Sequence, residues 1–165
     1  MCAHVTSWNK NASIKFRTDM ASMGKLGFDI GLKDLKAEEL EYCQLAVANW
    51  KRLQPVILDG VQYRLVSPYE SNHMAVNYVS EDGSKGVIFA YDIYPRFQEK
   101  LMKLKVKGLD PNKMYKVEEI NLMPAKDSEL KENGKVFSGD YLMKVGLDVF
   151  GFQPTQSHVI ELTAE

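Results

Sequence analysis

The spacing of apolar residues divides the chain near Pro55 into a first part of mixed periodicity and a second part that alternates with a period of two. Residues 37–53 carry the clearest helical pattern, because their apolar side chains recur every three or four positions on one face. These side chains are Leu40, Cys43, Val47 and Trp50. Lys36 stands where a Ser or Thr cap is expected, so Asp34 is an alternative cap. Pro55 is expected to end this helix.

The segments before this helix predict two short strands separated by a helix. Residues 2–6 form a strand candidate, residues 13–23 are loosely helical, and residues 26–32 are apolar but interrupted by glycines. With the helix at 37–53, the order is βαβα, the unit of a parallel sheet or barrel. Two parallel strands cannot bury both of their faces. We therefore expect the missing strands to come from upstream or from another chain.

The second part predicts an antiparallel β-sandwich. Six short segments alternate apolar and polar residues: 61–65, 74–78, 87–93, 104–106, 115–117 and 158–162. Asp82-Gly83 predicts a hairpin turn between the second and third segments. Residues 141–145 break the pattern and predict a helical turn, with Ser138 or Asp140 near its start and Gly146 after its end. The fold class is therefore α+β, with a sandwich after the βαβα part.

Composition narrows the partners. Hydrophobic residues make up 45% of the chain, charged residues 26%, and the net charge is -1, so neither a nucleic-acid surface nor a membrane surface is expected. No apolar run is long enough to span a membrane. The start lacks the features of a signal peptide, and the compartment stays open between the cytoplasm and the periplasm. The two cysteines, Cys2 and Cys43, are expected to stay reduced.

Familiar catalytic motifs are absent from the sequence. It contains no phosphate-binding or dinucleotide-binding glycine loop, no His-Glu-x-x-His zinc motif and no Gly-x-Ser-x-Gly elbow. His4, His73 and His158 are far apart, so no metal site is predicted, and no cofactor is implied.

His4 and Trp8 are the candidate site residues. If residues 2–6 belong to a parallel barrel, His4 lies near the strand end that faces an active site. The alternative is a hydrogen-bonded loop histidine. Trp8 could stack on a sugar ring, or it could pack in a core or a domain interface.

The acidic residues of the first part have two possible roles. Asp19 could form a structural ion pair or cap with Arg17, and Asp29 could be salt-bridged at a strand end. Alternatively, Asp19 and Asp29 could form a carboxylate pair for glycoside cleavage.

Tyrosines are frequent in the second part, where they fit either carbohydrate contact or ordinary packing of a sandwich. They are Tyr63, Tyr69, Tyr78, Tyr91 and Tyr94. Lys103, Lys105 and Lys107 predict a solvated edge that discourages strand pairing.

Five separated motifs resemble family 36 glycoside hydrolases, the retaining α-galactosidases, in the order of that family. They are Met1-Cys-Ala-His-Val-Thr-Ser7, Arg17-Thr-Asp-Met-Ala-Ser-Met-Gly-Lys-Leu-Gly-Phe-Asp-Ile30, Pro55-Val-Ile-Leu-Asp-Gly60 with Tyr63-Arg-Leu-Val-Ser-Pro-Tyr-Glu70, Gly108-Leu-Asp-Pro111 with Tyr115, and Ser138-Gly-Asp-Tyr-Leu-Met-Lys-Val-Gly-Leu147. The resemblance implies that residues 1–54 are the last two βα units of a (β/α)8 catalytic barrel. Residues 55–165 would be the antiparallel β-sandwich domain that follows it.

The resemblance also implies a division of labour. The family's nucleophilic and acid/base aspartates lie upstream of the segments matched here, so this chain has no catalytic residue of its own and is expected to be inactive alone. His4 and Trp8 would contribute to the rim of the galactoside site in the parent enzyme. The exposed partial barrel implies a homo-oligomer or association with the missing barrel part. The rival reading is a non-catalytic carbohydrate-binding or interaction module.

Overall fold

The computed structural model describes residues 2–6 and 11–165. Its helices are α1 (Ile14–Ser22), α2 (Ala37–Asp59) and α3 (Gly139–Lys144), and a short 3-10 turn covers Leu32–Asp34. Its strands are β1 (Cys2–Thr6), β2 (Lys25–Asp29), β3 (Val61–Val66), β4 (His73–Val79), β5 (Lys85–Asp92), β6 (Met114–Ile120), β7 (Val136–Ser138) and β8 (Gln156–Ala164). The chain is therefore α+β.

Strands β1 and β2 pair in parallel, and α1 makes the crossover between them. The register places His4 opposite Gly27 and Thr6 opposite Asp29. The predicted order of strand, helix, strand and helix in the first part is thus confirmed.

The other six strands form one antiparallel sheet in the order β3-β4-β5-β8-β6-β7. Five of the six alternating segments lie in these strands, whereas β7 has no counterpart in the sequence prediction. Residues 104–106 are not a strand, since Leu104 makes only an isolated bridge to Leu147. Their alternation is nevertheless real, because Leu104 and Val106 are buried while Lys105 is exposed.

Both faces of the antiparallel sheet are covered. One face packs against irregular segments that contribute Leu104, Val106 and Leu147, an arrangement consistent with a β-sandwich whose second layer lacks a regular sheet. The opposite face packs under α2 through Leu53 and Val56. Central strands with two buried faces read as almost continuous apolar runs. This explains why residues 87–91 of β5 are all buried.

The prediction that Pro55 ends the second helix is wrong, because α2 continues through it to Asp59. Proline cannot donate to the carbonyl of Lys51, one turn earlier. Both residues are exposed, so water can solvate that carbonyl. Leu53 and Val56 are buried on either side and hold the helix against the sheet. The change in periodicity therefore falls inside one continuous helix.

The starts of α2 and α3 and the residue after α3 follow the sequence signals, except that Lys36 and not the alternative Asp34 caps α2. Helix α2 starts after Lys36, whose backbone N–H donates to the Glu39 carboxylate at 2.9 Å. Helix α3 starts after Ser138, whose Oγ accepts from the backbone N–H of Tyr141 at 3.1 Å. Gly146 follows it with a φ of 85°. Within the described residues, no helix is both long and apolar enough to cross a bilayer.

Candidate functional site

The carboxyl-terminal ends of β1 and β2 lie at one edge of the parallel pair, where α/β proteins place their ligand sites. His4 is exposed near this edge, and its ring lies across Gly27 of the neighbouring strand. A Cβ atom at position 27 would come within 2.3 Å of Cδ2 of His4, so β2 needs glycine here. Trp8 lies outside the described residues.

Arg17 holds the end of β1 in place. Its Nη1 donates to the backbone carbonyl of Thr6 at 2.6 Å, two residues beyond His4. Helix α1 itself is fixed by Ser13, whose Oγ accepts from the backbone N–H of Phe16 at 3.1 Å. Arg17 therefore bonds the strand end, whereas Asp19 makes its ion pair with Lys15.

Asp19 is the centre of a buried polar network. Its side chain is fully buried, and four side chains from four parts of the fold donate to it. The donors are Tyr42 at 2.8 Å and Asn121 at 3.0 Å to Oδ1, and Ser157 at 2.7 Å and Lys15 at 2.7 Å to Oδ2. Tyr91 also donates to the backbone carbonyl of Asp19 at 2.9 Å.

This network has no capacity left for acid–base chemistry on a ligand. A carboxylate has about four acceptor positions, and all are used here. Burial, followed by the nearby Asp19 charge, raises the pKa of Tyr42 far above its usual value. Asp29 is exposed at the end of β2. Asp19 and Asp29 thus occupy opposite environments, and the structure gives no support to a carboxylate pair.

The other two histidines each bind their own carboxylate. His73 Nδ1 lies 2.7 Å from Asp92 Oδ1, and both side chains are buried. His158 Nδ1 lies 2.7 Å from Glu119 Oε1. Within the described residues no group of three or more His, Cys, Asp or Glu side chains could hold a metal ion.

A charged cleft of 520 Å³ opens beside α2 and the end of β8. It contains a two-pronged ion pair in which Arg52 donates to both oxygens of Glu161, at 2.5 and 2.7 Å. The pair links α2 to the antiparallel sheet. Since the arginine already binds both carboxylate oxygens, the cleft offers no unpaired cation for an anionic ligand through this residue.

An apolar groove of 810 Å³ runs between the ends of α1 and α2 and the strands β3 and β4. Met20, Met23, Leu58 and Met74 line it, and Leu58 is 38% exposed. Tyr78 closes one side by donating to the carbonyl of Met23 at 2.6 Å. We call this surface the methionine groove.

Four of the five tyrosines singled out in the sequence separate into two groups, whereas Tyr63 is partly buried against the core. Tyr78 and Tyr91 are buried and fill the sheet's core, as the packing interpretation predicts. Tyr69 and Tyr94 are 97% and 75% exposed, and Phe97, a third aromatic residue in these loops, is 90% exposed. Asn72 links the two loops that carry them, because its carbonyl accepts from the backbone N–H groups of residues 93 and 94. We call Tyr69, Tyr94 and Phe97 the aromatic end of the sheet.

Comparison with known proteins gives one consistent family. The glycosyl hydrolase family 36 C-terminal domain matches residues 73–162. The chain is 33% identical over 135 residues to a probable alpha-galactosidase C of Aspergillus terreus, covering 81% of this chain and 16% of that protein. It is 29% identical over 136 residues to alpha-galactosidase AgaA of Geobacillus stearothermophilus, covering 82% of this chain and 17% of that protein.

Solved structures agree with these relatives. The GH36 alpha-galactosidase AgaB from Geobacillus stearothermophilus superimposes with a TM-score of 0.86 at 28% identity, covering 100% of this chain and 22% of that one. A variant of AgaA in complex with raffinose superimposes with a TM-score of 0.82 at 25% identity, covering 99% of this chain and 21% of that one. The chain thus spans about a fifth of the length of these similar structures.

Proposed function

Since this chain belongs to glycosyl hydrolase family 36, with its match in the C-terminal domain, we propose that it is the C-terminal part of an α-galactosidase. The parent enzyme removes terminal α-galactosyl groups from oligosaccharides. The match to the family's C-terminal domain carries this proposal. The raffinose bound to the similar AgaA variant supports the substrate class.

In the proposed layout, residues 1–54 are the last two βα units of a (β/α)8 barrel and residues 55–165 are the β-sandwich domain. The parallel pairing of β1 and β2 across α1 supports the barrel assignment, because it has the connectivity of one βα unit. Neither strand has a second neighbour among the described residues, so both outer edges have room for further barrel strands.

The proposed reaction is a double displacement that retains the configuration at the sugar. One carboxylate attacks the anomeric carbon, and another protonates the leaving oxygen and then activates water. Both groups belong to the upstream part of the parent. The proposed role of this chain is to bind and orient: His4 and Trp8 would contribute to the rim of the sugar site, and Arg17 holds the strand end that carries His4.

Activity measurements on two lengths of protein test this proposal. The isolated 165-residue chain should not hydrolyse a nitrophenyl α-galactoside, because covalent catalysis requires a nucleophile that it lacks. The parent enzyme should hydrolyse it. In the parent, His4→Ala and Trp8→Ala should raise KM or lower kcat, whereas Lys51→Ala on the exposed face of α2 should change neither. Turnover by the isolated chain, or unchanged kinetics in both rim variants, would contradict the proposal.

A second candidate function is carbohydrate binding at the aromatic end. Exposed aromatic rings can stack on the C–H faces of sugars, and here the loops that carry them are cross-linked by Asn72. Asn72 also donates to Glu99 at 3.2 Å, and Glu99 accepts from the backbone N–H of Arg96 at 2.8 Å. Bonds that hold loops in one conformation reduce the entropy lost on binding.

Calorimetric titration of the isolated chain with raffinose tests this second function. Binding that is lost in Tyr94→Ala and Phe97→Ala, but kept in Phe152→Ala, would establish it. No heat of binding at millimolar raffinose would remove it.

The proposal extends to assembly. The open edges of the parallel pair and the methionine groove leave apolar surface uncovered. Burying such surface is worth roughly 25 cal/mol per Å². The chain should therefore form a homo-oligomer or associate with the remaining barrel part.

A further inference from the structure

Asp19 and Arg17 face opposite sides of α1. Residues two positions apart on an α-helix differ by about 200° around its axis. Asp19 accordingly faces α2 and the antiparallel sheet, whereas Arg17 faces the end of β1, where it bonds the carbonyl of Thr6. One short helix therefore joins the antiparallel sheet to the proposed sugar-binding edge.

The donors to Asp19 come from both parts of the chain. Lys15 and Tyr42 belong to the first part, at separations of 4 and 23 positions. Asn121 and Ser157 belong to the second part, at separations of 102 and 138 positions. Asn121 is itself held by Asn49 of α2 at 2.9 Å. Asn121 and Ser157 reach Asp19 only when the antiparallel sheet is docked on α1.

Because Asp19 is buried, its hydrogen bonds fix one position of α1 relative to the antiparallel sheet. A fully buried carboxylate tolerates loss of a donor poorly, because no water replaces the missing hydrogen bond. Asn121 adopts a φ of 57° directly after β6, a conformation that asparagine tolerates better than most residues. The end of β6 is thus shaped to present its amide to Asp19.

We infer that Asp19 is a positioning residue, through which the antiparallel sheet fixes α1 and thereby the end of β1 that carries His4. The inference rests on the proposed function for the meaning of that edge. It assigns the antiparallel sheet a task in catalysis: it braces the sugar-binding edge from behind without touching the substrate. Ser157 and Asn121 are the residues that transmit this support.

Hydrogen exchange in the 165-residue chain tests the connection directly. Ser157→Ala should accelerate exchange of the β1 and β2 amides by about 10- to 100-fold, the range implied by loss of one hydrogen bond to a charged group. Exchange in β4 and β5 should stay unchanged. Tyr91→Phe, which keeps the ring but removes the bond to the Asp19 carbonyl, should act in the same direction.

Two further variants separate positioning from general stability. Ser157→Thr keeps the hydroxyl and should restore protection of β1 and β2. Thr163→Ala removes a hydroxyl from the other end of β8, which makes no bond to Asp19, and should leave β1 and β2 protected. Unchanged exchange in β1 and β2 of Ser157→Ala, or equal acceleration throughout the sheet, would overturn the inference.

Kinetics of the parent enzyme provide the second readout. Ser157→Ala should raise KM for a nitrophenyl α-galactoside more than it lowers kcat, because the binding edge moves while the upstream carboxylates do not. Ser157→Thr should restore KM, and an unchanged KM in Ser157→Ala would overturn the catalytic role of the brace. A parent without α-galactosidase activity would instead overturn the proposed function, and the exchange experiment would still decide the connection.

Discussion

Two buried carboxylates in the antiparallel sheet respond to their surroundings in opposite directions. Burial raises the pKa of Asp92, and the hydrogen bonds from Gly151 and His73 do not compensate. Burial also acts to raise the pKa of Glu119, but hydrogen bonds from His158 and Ser128 outweigh it, so that this pKa lies below its usual 4.5. The charged form of Glu119 is therefore favoured by folding, and that of Asp92 is disfavoured.

The lowered pKa of Glu119 predicts a loss of stability in acid. Its stabilisation is present above pH 4.5 and disappears as the pH falls through the folded-state pKa. Glu119→Gln should lower the free energy of unfolding by about 1–3 kcal/mol at pH 7. The difference in the free energy of unfolding between this variant and the unsubstituted chain should shrink below pH 4.5, as measured by urea unfolding.

The adjacent residue provides the control for that experiment. Glu118 is 45% exposed and pairs with Lys116 at 2.7 Å on the surface. Glu118→Gln should change stability by less than about 1 kcal/mol at either pH. If the free energies of unfolding of Glu119→Gln and of the unsubstituted chain differ by the same amount at every pH, the role of the Glu119 charge is contradicted.

Two glycines in the left-handed region allow backbone strain to be separated from crowding. Gly134 has a φ of 74° and open space around it, whereas a Cβ at Gly146, with a φ of 85°, would lie 2.5 Å from the Leu104 carbonyl oxygen. Gly134→Ala should cost about 1–2 kcal/mol from conformation alone. Gly146→Ala should cost about 1–3 kcal/mol more. Equal urea midpoints for the two variants would refute the crowding.

At the scale of elements, α2 carries an internal proline at a measurable cost. Proline in a helix interior is about 3 kcal/mol less favourable than alanine, partly offset by the greater freedom that alanine gives the unfolded chain. Pro55→Ala should therefore stabilise the protein by about 2 kcal/mol. The neighbouring exposed Gln54→Ala should change stability by less than about 0.5 kcal/mol. A thermal midpoint that does not rise in Pro55→Ala would show that the helix is already relaxed around the proline.

Most elements are predictable from the sequence because their signals are local. Alternation identifies β3, β4, β5, β6 and β8, and Ser138 with Gly146 brackets α3. The end of α2 is not predictable, since the exposed side of Pro55 is decided by the sheet beneath the helix. Alternation at Leu104 and Val106 reports burial but not strand pairing, because both pack on the sheet without joining a regular ladder.

The candidate site is less predictable than the fold. The sequence singles out His4 because it lies in a short strand candidate at the start of the chain. The parallel pairing of β1 and β2 places it near the end of that strand. The four donors to Asp19 could not be foreseen, because two of them lie 102 and 138 positions away. The sequence offers a buried aspartate as either a catalytic or a structural group. Only the enclosure of Asp19 by donors decides for structure.

At the scale of the whole molecule, the uncovered surface predicts association. The mass measured by light scattering should rise with protein concentration. Leu58→Lys, in the methionine groove, should weaken this association, because it places a charge in the apolar contact. Val145→Lys changes a similarly exposed residue, 39% accessible, which caps the C-terminal end of α3 beyond the other face of the sheet, and it should have no effect. A monomer at every concentration would argue against the proposal that residues 1–54 are an exposed part of a barrel.

The continuity of α2 limits how the protein can be divided for engineering. A piece starting at residue 55 would retain only five residues of this helix, which are too few to form a stable helix in water. Without a stable helix, Val56 and Ile57 would no longer pack on the sheet. The apolar side chains of Val76 and Phe89 would then be exposed, and the excised sheet would be prone to aggregate. A transplantable version of the sheet has to begin no later than Ala37.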